Sequence, residues 1–276
     1  MKRSSNTQRK SMPSNPARRD LLRIGGSAGI GGLVFAQSVG WAQPGNAITP
    51  HSDYAAAHQE AQTVAQDILR QGSATCLGIA LATRERIVWA ESFGLADLQA
   101  RRPPDATTMF GVGSTSKMFA TIAVMQLVDR GLVNLDEPLV RYVPEFRMAD
   151  SRYTEITVRM LLNHASGLPG SNYRNIFTFK PVPGYAADVF AALAHERLKA
   201  TPGFMNVYCN DGFTLVEVLV RAVTGKSFAA YVQASILDPL GMKHSAYTTT
   251  PFPKDRYARV YRSGVLQLQE FVGAQA

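Results

Sequence analysis

The strongest constraint on the fold is a run of side chains with no polar face. Between residues 118 and 128, Met118, Phe119, Ile122, Val124, Met125, Leu127 and Val128 surround a helix nearly all the way round, the pattern of a helix buried on every side. Gly131 supplies its stop. Immediately before the run stands Gly113-Ser114-Thr115-Ser116-Lys117. Residues three apart share a helix face, so Ser114 and Lys117 bring together a nucleophilic hydroxyl and an amine that can accept its proton. Burial of the surrounding helix favours a neutral amine. The unpaired N–H groups of a helix start are partly positive, so the Ser114 amide is placed to face an oxyanion. The spacing alone also arises by chance, with the serine as a helix cap and the lysine in water; the rest of the chain has to decide.

The chain begins Met1-Lys2-Arg3, stays basic to Arg23, turns apolar and small over residues 24–36, and reaches Gly40-Trp41-Ala42. That is the order of an export signal, and Ala17-Arg18-Arg19-Asp20-Leu21-Leu22-Arg23 resembles a twin-arginine signal. Residues 1–42 are therefore expected to be a cleaved leader that addresses the protein to the twin-arginine export machinery and to the periplasm or exterior. Its apolar stretch is too short for a stable membrane span in the mature form. Seven Lys or Arg and one acid in this segment account for +6 of the chain's +8. The basic character is thus mostly in the leader and makes no case for nucleic-acid binding. Gly25-Gly26-Ser27-Ala28-Gly29 fits an esterase elbow pattern, but it follows no strand and lies in the leader.

Residues 43–276 carry ordinary globular composition, the whole chain being 46% hydrophobic and 18% charged. Helical spacing covers residues 53–71, with Gly72 as a stop. Two strand-like runs, residues 75–83 and 87–93, joined by Arg84-Glu85-Arg86, read as an antiparallel hairpin that must pair with further strands or pack on the first helix. After the central helix, Thr157 caps a short helix to Leu162, and Asn163-His164-Ala165-Ser166-Gly167 forms a turn. No acid is tied to His164, which reads as a loop histidine bonded to backbone. Residues 171–184 form an aromatic loop suited to a pocket rim, and helices follow over 186–198, 213–223 and 228–237. A hairpin segment at residues 53–95 followed by a helical block at 107–245 gives an α+β fold.

Between two of these helices stands Asn206-Val207-Tyr208-Cys209-Asn210-Asp211-Gly212. Skipping one residue lets Tyr208 and Asn210 aim a phenol and an amide at one point; a plain helix junction capped by Asn210 or Asp211 is the alternative. Taken with Phe110-Gly111-Val112-Gly113-Ser114-Thr115-Ser116-Lys117, Leu132 to Pro138, Ile156 to Leu168 and Pro239-Leu240-Gly241-Met242, this resembles the serine β-lactamase and penicillin-binding family. The similarity is to its class C β-lactamase, D-Ala-D-Ala carboxypeptidase and esterase branch. The resemblance implies an antiparallel sheet flanked by helices with a large helical subdomain. It implies that Ser114 is acylated, that Lys117 and Tyr208 handle its proton, and that Asn210 orients substrate and Lys117. Which of Lys117 and Tyr208 is the base stays open. The expected substrate is a small molecule or a peptidoglycan peptide carrying an ester, amide or β-lactam.

The family also carries a Lys-Thr-Gly or His-containing motif on a late strand, and no such string follows Pro251; Tyr261-Arg262-Ser263-Gly264 comes too soon. The expectation is therefore an incomplete sheet lacking C-terminal strands, with a catalytically inactive binding module or a plain carboxylesterase as alternatives to the acyl-enzyme reading. Cys76 and Cys209 are expected to be two buried free thiols. His51, His58, His164, His195 and His244 show no ligand spacing, so no metal or other cofactor is expected.

Overall fold

A computed structural model of the chain describes residues 52–171, 177–178, 184–247, 253, 255–262, 265–266 and 271–272, all within the unit formed by residues 41–276. The expected leader lies outside the described residues, as do most of the expected rim loop and the chain after residue 272. Helix α1 (Ala55–Arg70) ends at Gln71, with Gly72 at φ +69°, a backbone angle that glycine adopts without a Cβ penalty. Strands β1 (Cys76–Ala82) and β2 (Ile87–Gly94) pair antiparallel, with an irregularity at Leu81/Ala82. Ala65 of α1 packs with Trp89 and Phe93 of β2, and Leu77, Ile79 and Leu81 close this small core. The hairpin therefore rests on the first helix, one of the two supports its sequence demanded.

The larger core is built around helix α2 (Ser116–Asp129) and helix α5 (Asn210–Thr224), with α3 (Val158–Leu162), α4 (Tyr185–Ala194) and α6 (Phe228–Val232) packed round them. Helix α6 runs into a π-turn at Gln233–Leu237, and α4 stops four residues short of the expected end. Thr157 Oγ1 accepts from the Met160 N–H, the cap read from sequence. Phe146, Leu127, Leu215, Leu219 and Phe213 are almost wholly buried. Each fully buried side chain of this kind contributes roughly 1.5–3 kcal/mol.

One expectation fails here. Helix α2 is buried on one side through Ala120, Ala123, Val124 and Leu127 but exposes Met118, Ile122 and Met125, at 57%, 44% and 38%. Those positions, four and three apart, form a stripe along one face; all-round apolarity sets what a helix tolerates, and its neighbours set what is covered. Cys76 is likewise only half-buried, whereas Cys209 is buried; both thiols are free. Burial pushes each up to about 11.

Among the described residues the remaining strands are short antiparallel pairs: β3 (Phe177–Thr178) with β6 (Phe271–Val272), and β4 (Tyr261–Arg262) with β5 (Val265–Leu266). The segment before β4 tightens the approach to Ser114. Met109 and Tyr257 form a parallel bridge, with the Met109 N–H on the Arg256 carbonyl and the Ala258 N–H on the Met109 carbonyl, both at 2.9 Å. Buried Asp97 accepts from the Tyr261 hydroxyl at 3.0 Å and from the Gln99 and Ala100 amides, and it pairs with Arg259. The Ala100 amide leads the hydrogen bonds that hold its carboxyl below the usual range.

Two loops that flank the site are stitched backbone to backbone. The Gly203 N–H donates to the Ala165 carbonyl, the Lys199 N–H to Gly167 and the Val207 N–H to His164, each at 2.8 Å. Gly167 sits at φ +74°, and a Cβ there would lie 2.2 Å from the Ala200 carbonyl oxygen. Gly167→Ala combines that clash with a left-handed backbone, so it is expected to cost at least about 2 kcal/mol. Urea denaturation checks it: the midpoint falls with the slope unchanged.

Candidate active site

Ser114 lies in a tight 3-10 turn, Gly113–Thr115, that leads straight into α2. The turn is pinned from behind, because the Tyr247 hydroxyl donates to the Ser116 carbonyl at 2.9 Å. The Tyr247 ring is wedged against Phe119 and Phe228, and burial pushes its phenol up to about 12. Lys117, one turn into the helix, points back toward Ser114: its Nζ is 3.5 Å from Ser114 Oγ and donates to Asn210 Oδ1 at 2.9 Å. The same ammonium lies 5.2 Å from the ring centres of both Tyr208 and Phe213, within the range where a cation is attracted to an aromatic face.

Tyr208 arrives from the loop before α5. Its phenol oxygen is 2.6 Å from Ser114 Oγ, a short contact between two groups 94 residues apart in the chain. Burial works to raise its pKa. Its hydrogen bonds with Ser114 and Lys117, together with the Lys117 charge, outweigh that and leave it below the ordinary 10.0. Asn210 is the first residue of α5 rather than a loop residue, with Cys209 at the cap position. Its amide donates to Ser171 Oγ at 2.8 Å, satisfying one of the helix's unpaired N–H groups. The four residues singled out from sequence, Ser114, Lys117, Tyr208 and Asn210, thus meet at one point, open to solvent on the side of Ser114 and half-exposed Tyr208.

Two contributors, Phe213 and Ser171, were not read from the chain as part of the site. Phe213 forms the floor beneath Lys117, and the signal was available: it follows Asn210 by three residues, mirroring the Ser114–Lys117 spacing on the facing helix. Ser171 gave no signal, being one polar residue in a loop. His164, read as a loop histidine bonded to backbone, does bond to backbone: its Nδ1 accepts from the Cys209 N–H at 3.2 Å. Among the described residues no group of three His, Cys, Asp or Glu side chains is arranged to hold a metal ion, and no helix is long and apolar enough to cross a membrane.

Chemically, the arrangement holds a hydroxyl against a phenol whose ionised form is favoured by a fixed cation. That is the apparatus for taking a proton from Ser114 as it attacks an electrophile.

Comparison with known proteins places this geometry in context. The family model described as Beta-lactamase matches residues 61–274. Penicillin-binding protein 4* of Bacillus subtilis is 30% identical over 183 residues, covering 63% of this chain and 39% of that protein. Protein flp of Staphylococcus aureus is 26% identical over 195 residues, covering 70% and 39%. The chain therefore spans about two-fifths of the length of these relatives. Among solved structures, D-amino acid amidase from Ochrobactrum anthropi superposes with a TM-score of 0.64 at 27% identity, covering 73% of this chain and 55% of that one. FmtA from Staphylococcus aureus gives 0.66 at 21%, covering 84% and 64%, which shows a shared fold.

If the Lys117 ammonium is what lowers the Tyr208 pKa, Lys117→Met must raise it. Ultraviolet difference titration of tyrosinate, with Tyr208→Phe as the reference, is expected to show the Tyr208 transition moving up toward 10.0 in the methionine variant.

Proposed function

Because the chain belongs to the Beta-lactamase family, we propose that it is a serine hydrolase that forms an acyl-enzyme on Ser114 from an ester, amide or β-lactam. The observation that carries this reading is the 2.6 Å contact between the Tyr208 phenol oxygen and Ser114 Oγ, made beside an ammonium that is itself held by Asn210. In the proposed cycle Ser114 Oγ attacks the carbonyl carbon while its proton passes to the Tyr208 phenolate. Asn210 Oδ1 and two ring faces hold Lys117 beside the phenol. This supports Tyr208 as the base, its pKa lowered by its contacts with Ser114 and Lys117.

The carbonyl oxygen gains the negative charge, with the Ser114 amide at the helix start as one of its donors. Collapse of that intermediate breaks the bond to the leaving amine or alkoxide, which takes the proton from Tyr208. Water then attacks the acyl carbon and gives its proton to Tyr208; collapse breaks the bond to Ser114 Oγ, which takes that proton back, releasing the acid and restoring free Ser114 and the Tyr208 phenolate. Asn210 orients Lys117 and offers its amide to the substrate.

The relatives' names span penicillin binding, D-amino acid amide hydrolysis and, for EstCE1, a hydrolase with promiscuous acyltransferase activity. The natural substrate proposed here is accordingly a small acyl compound or a peptidoglycan peptide. The export-type residues 1–42 support action in the periplasm or outside the cell, after passage through the twin-arginine machinery.

Intact mass after incubation with a fluorescent penicillin, or separately with a short-chain activated ester, tests the reading. The expected result is an acyl increment on the native chain and none on Ser114→Ala. Tyr208→Phe is expected to slow acylation by roughly 10²- to 10⁴-fold. An adduct from the ester alone identifies a carboxylesterase. No adduct on a chain that is folded by circular dichroism, with noncovalent penicillin binding retained, identifies an inactive binding module and defeats the proposal.

A further inference from the structure

His164 is one of two non-glycine residues with positive φ among the described residues, at φ 60°. Residues with a Cβ enter this region at a cost and persist there when the surroundings hold them. What holds His164 is the loop that carries Tyr208. Its carbonyl accepts from the Val207 N–H at 2.8 Å, and its Nδ1 accepts from the Cys209 N–H at 3.2 Å. One residue therefore bonds to the chain on both sides of Tyr208. Its ring also packs at a tilt against the Tyr208 ring, with centroids 4.6 Å apart and planes 39° apart, and against Phe213 at 5.1 Å and 41°. Tyr208 is itself 50% exposed, so packing alone leaves its side chain loosely held.

We propose that His164 is a positioning residue, which fixes Tyr208 within hydrogen-bond reach of Ser114 by gripping both flanking peptides and one face of its ring. The inference rests on the acyl-enzyme reading for its catalytic consequence, but its structural content stands apart from turnover. The grip requires an unprotonated Nδ1, since an imidazolium has no lone pair to accept the Cys209 N–H. Burial and the Lys117 charge both hold the imidazole pKa below its ordinary 6.5, which keeps the acceptor available at neutral pH. Among the described residues, the titratable groups facing the ring are Lys117 from α2 and Tyr208 and Cys209 from the loop before α5.

The test uses two variants of the full chain. His164→Gly takes the left-handed backbone without strain and removes ring and acceptor together. His164→Asn also tolerates that backbone and keeps an oxygen near the position of Nδ1, so it serves as the conservative rescue. Two readouts apply: the tyrosinate difference titration of Tyr208, and kcat/KM against pH with a short-chain activated ester.

In the glycine variant kcat/KM is expected to fall roughly tenfold to hundredfold, the scale of a misplaced catalytic group, with the loss in kcat rather than KM. The rising limb of the pH profile should move up, because a phenol that leaves Ser114 and Lys117 loses the contacts that lower its pKa. The asparagine variant should recover part of both effects. A folded glycine variant with a wild-type Tyr208 titration and pH limb overturns the proposal. Should that variant fail to fold, a third variant, His164→Ala, which also lacks both ring and acceptor, takes its place, and a wild-type Tyr208 titration in it overturns the proposal equally. If the wild-type chain takes no acyl group, the hydrolase reading falls on its own, and the tyrosinate titration, which needs no turnover, still decides whether His164 positions Tyr208.

Discussion

The site depends on where one positive charge is held. The Lys117 ammonium touches Asn210, lies near Ser114 and sits between two aromatic faces. A lysine on a solvated helix face would gain little from any one of these contacts. Held together, they fix a flexible side chain in a single position, and that position decides what its neighbours can do. The phenol beside it ionises more readily and lies within hydrogen-bond reach of Ser114. Each effect is an ordinary electrostatic one; the specificity comes from geometry, because two helices and a loop converge on one nitrogen.

Much of the surrounding structure reads as the means of bringing those three pieces into register. Tyr247 steadies the first turn of α2 through the Ser116 carbonyl. Ser171 satisfies the start of α5, so that Asn210 can spend its side chain on Lys117. The loop after α3 runs beside the loop before α5 and lends it backbone acceptors at Ala165, Gly167 and His164. On the far side, Asp97 ties the segment around Tyr257 and Tyr261 to the hairpin exit, which steadies the approach to Gly113. Membership of the Beta-lactamase family fits this division of labour, in which a packed helical block carries functional groups at its edge.

Much of this was legible in the chain, for identifiable reasons. Ser114 and Lys117 are three residues apart on one helix, and spacing on a helix translates directly into proximity. The hairpin and its packing on α1 followed from two short β-rich runs and a helical stripe. Tyr208 and Asn210 could not be derived that way, since nothing local says that a loop 94 residues later returns to Ser114; family resemblance supplied what periodicity could not. Phe213 carried a signal in its spacing from Asn210, but an apolar residue on a buried helix reads first as core, whether or not a cation rests on it. The left-handed backbone of His164 leaves no mark in a sequence at all. The exposed face of α2 was misread for a related reason: apolarity tells what a surface prefers, and only the arrangement of neighbours tells whether the preference is met.

The contacts that define the site join residues 93 and 94 positions apart, and this long separation shapes how the protein acquires its chemistry. Closing a loop of that length costs chain entropy before any contact repays it. The helices can form locally and early, whereas the phenol, the amide and the ammonium meet only when the two halves of the core have docked. The grouping of Ser114, Lys117, Tyr208 and Asn210 is thus a product of the completed tertiary fold rather than of the helix that carries Ser114.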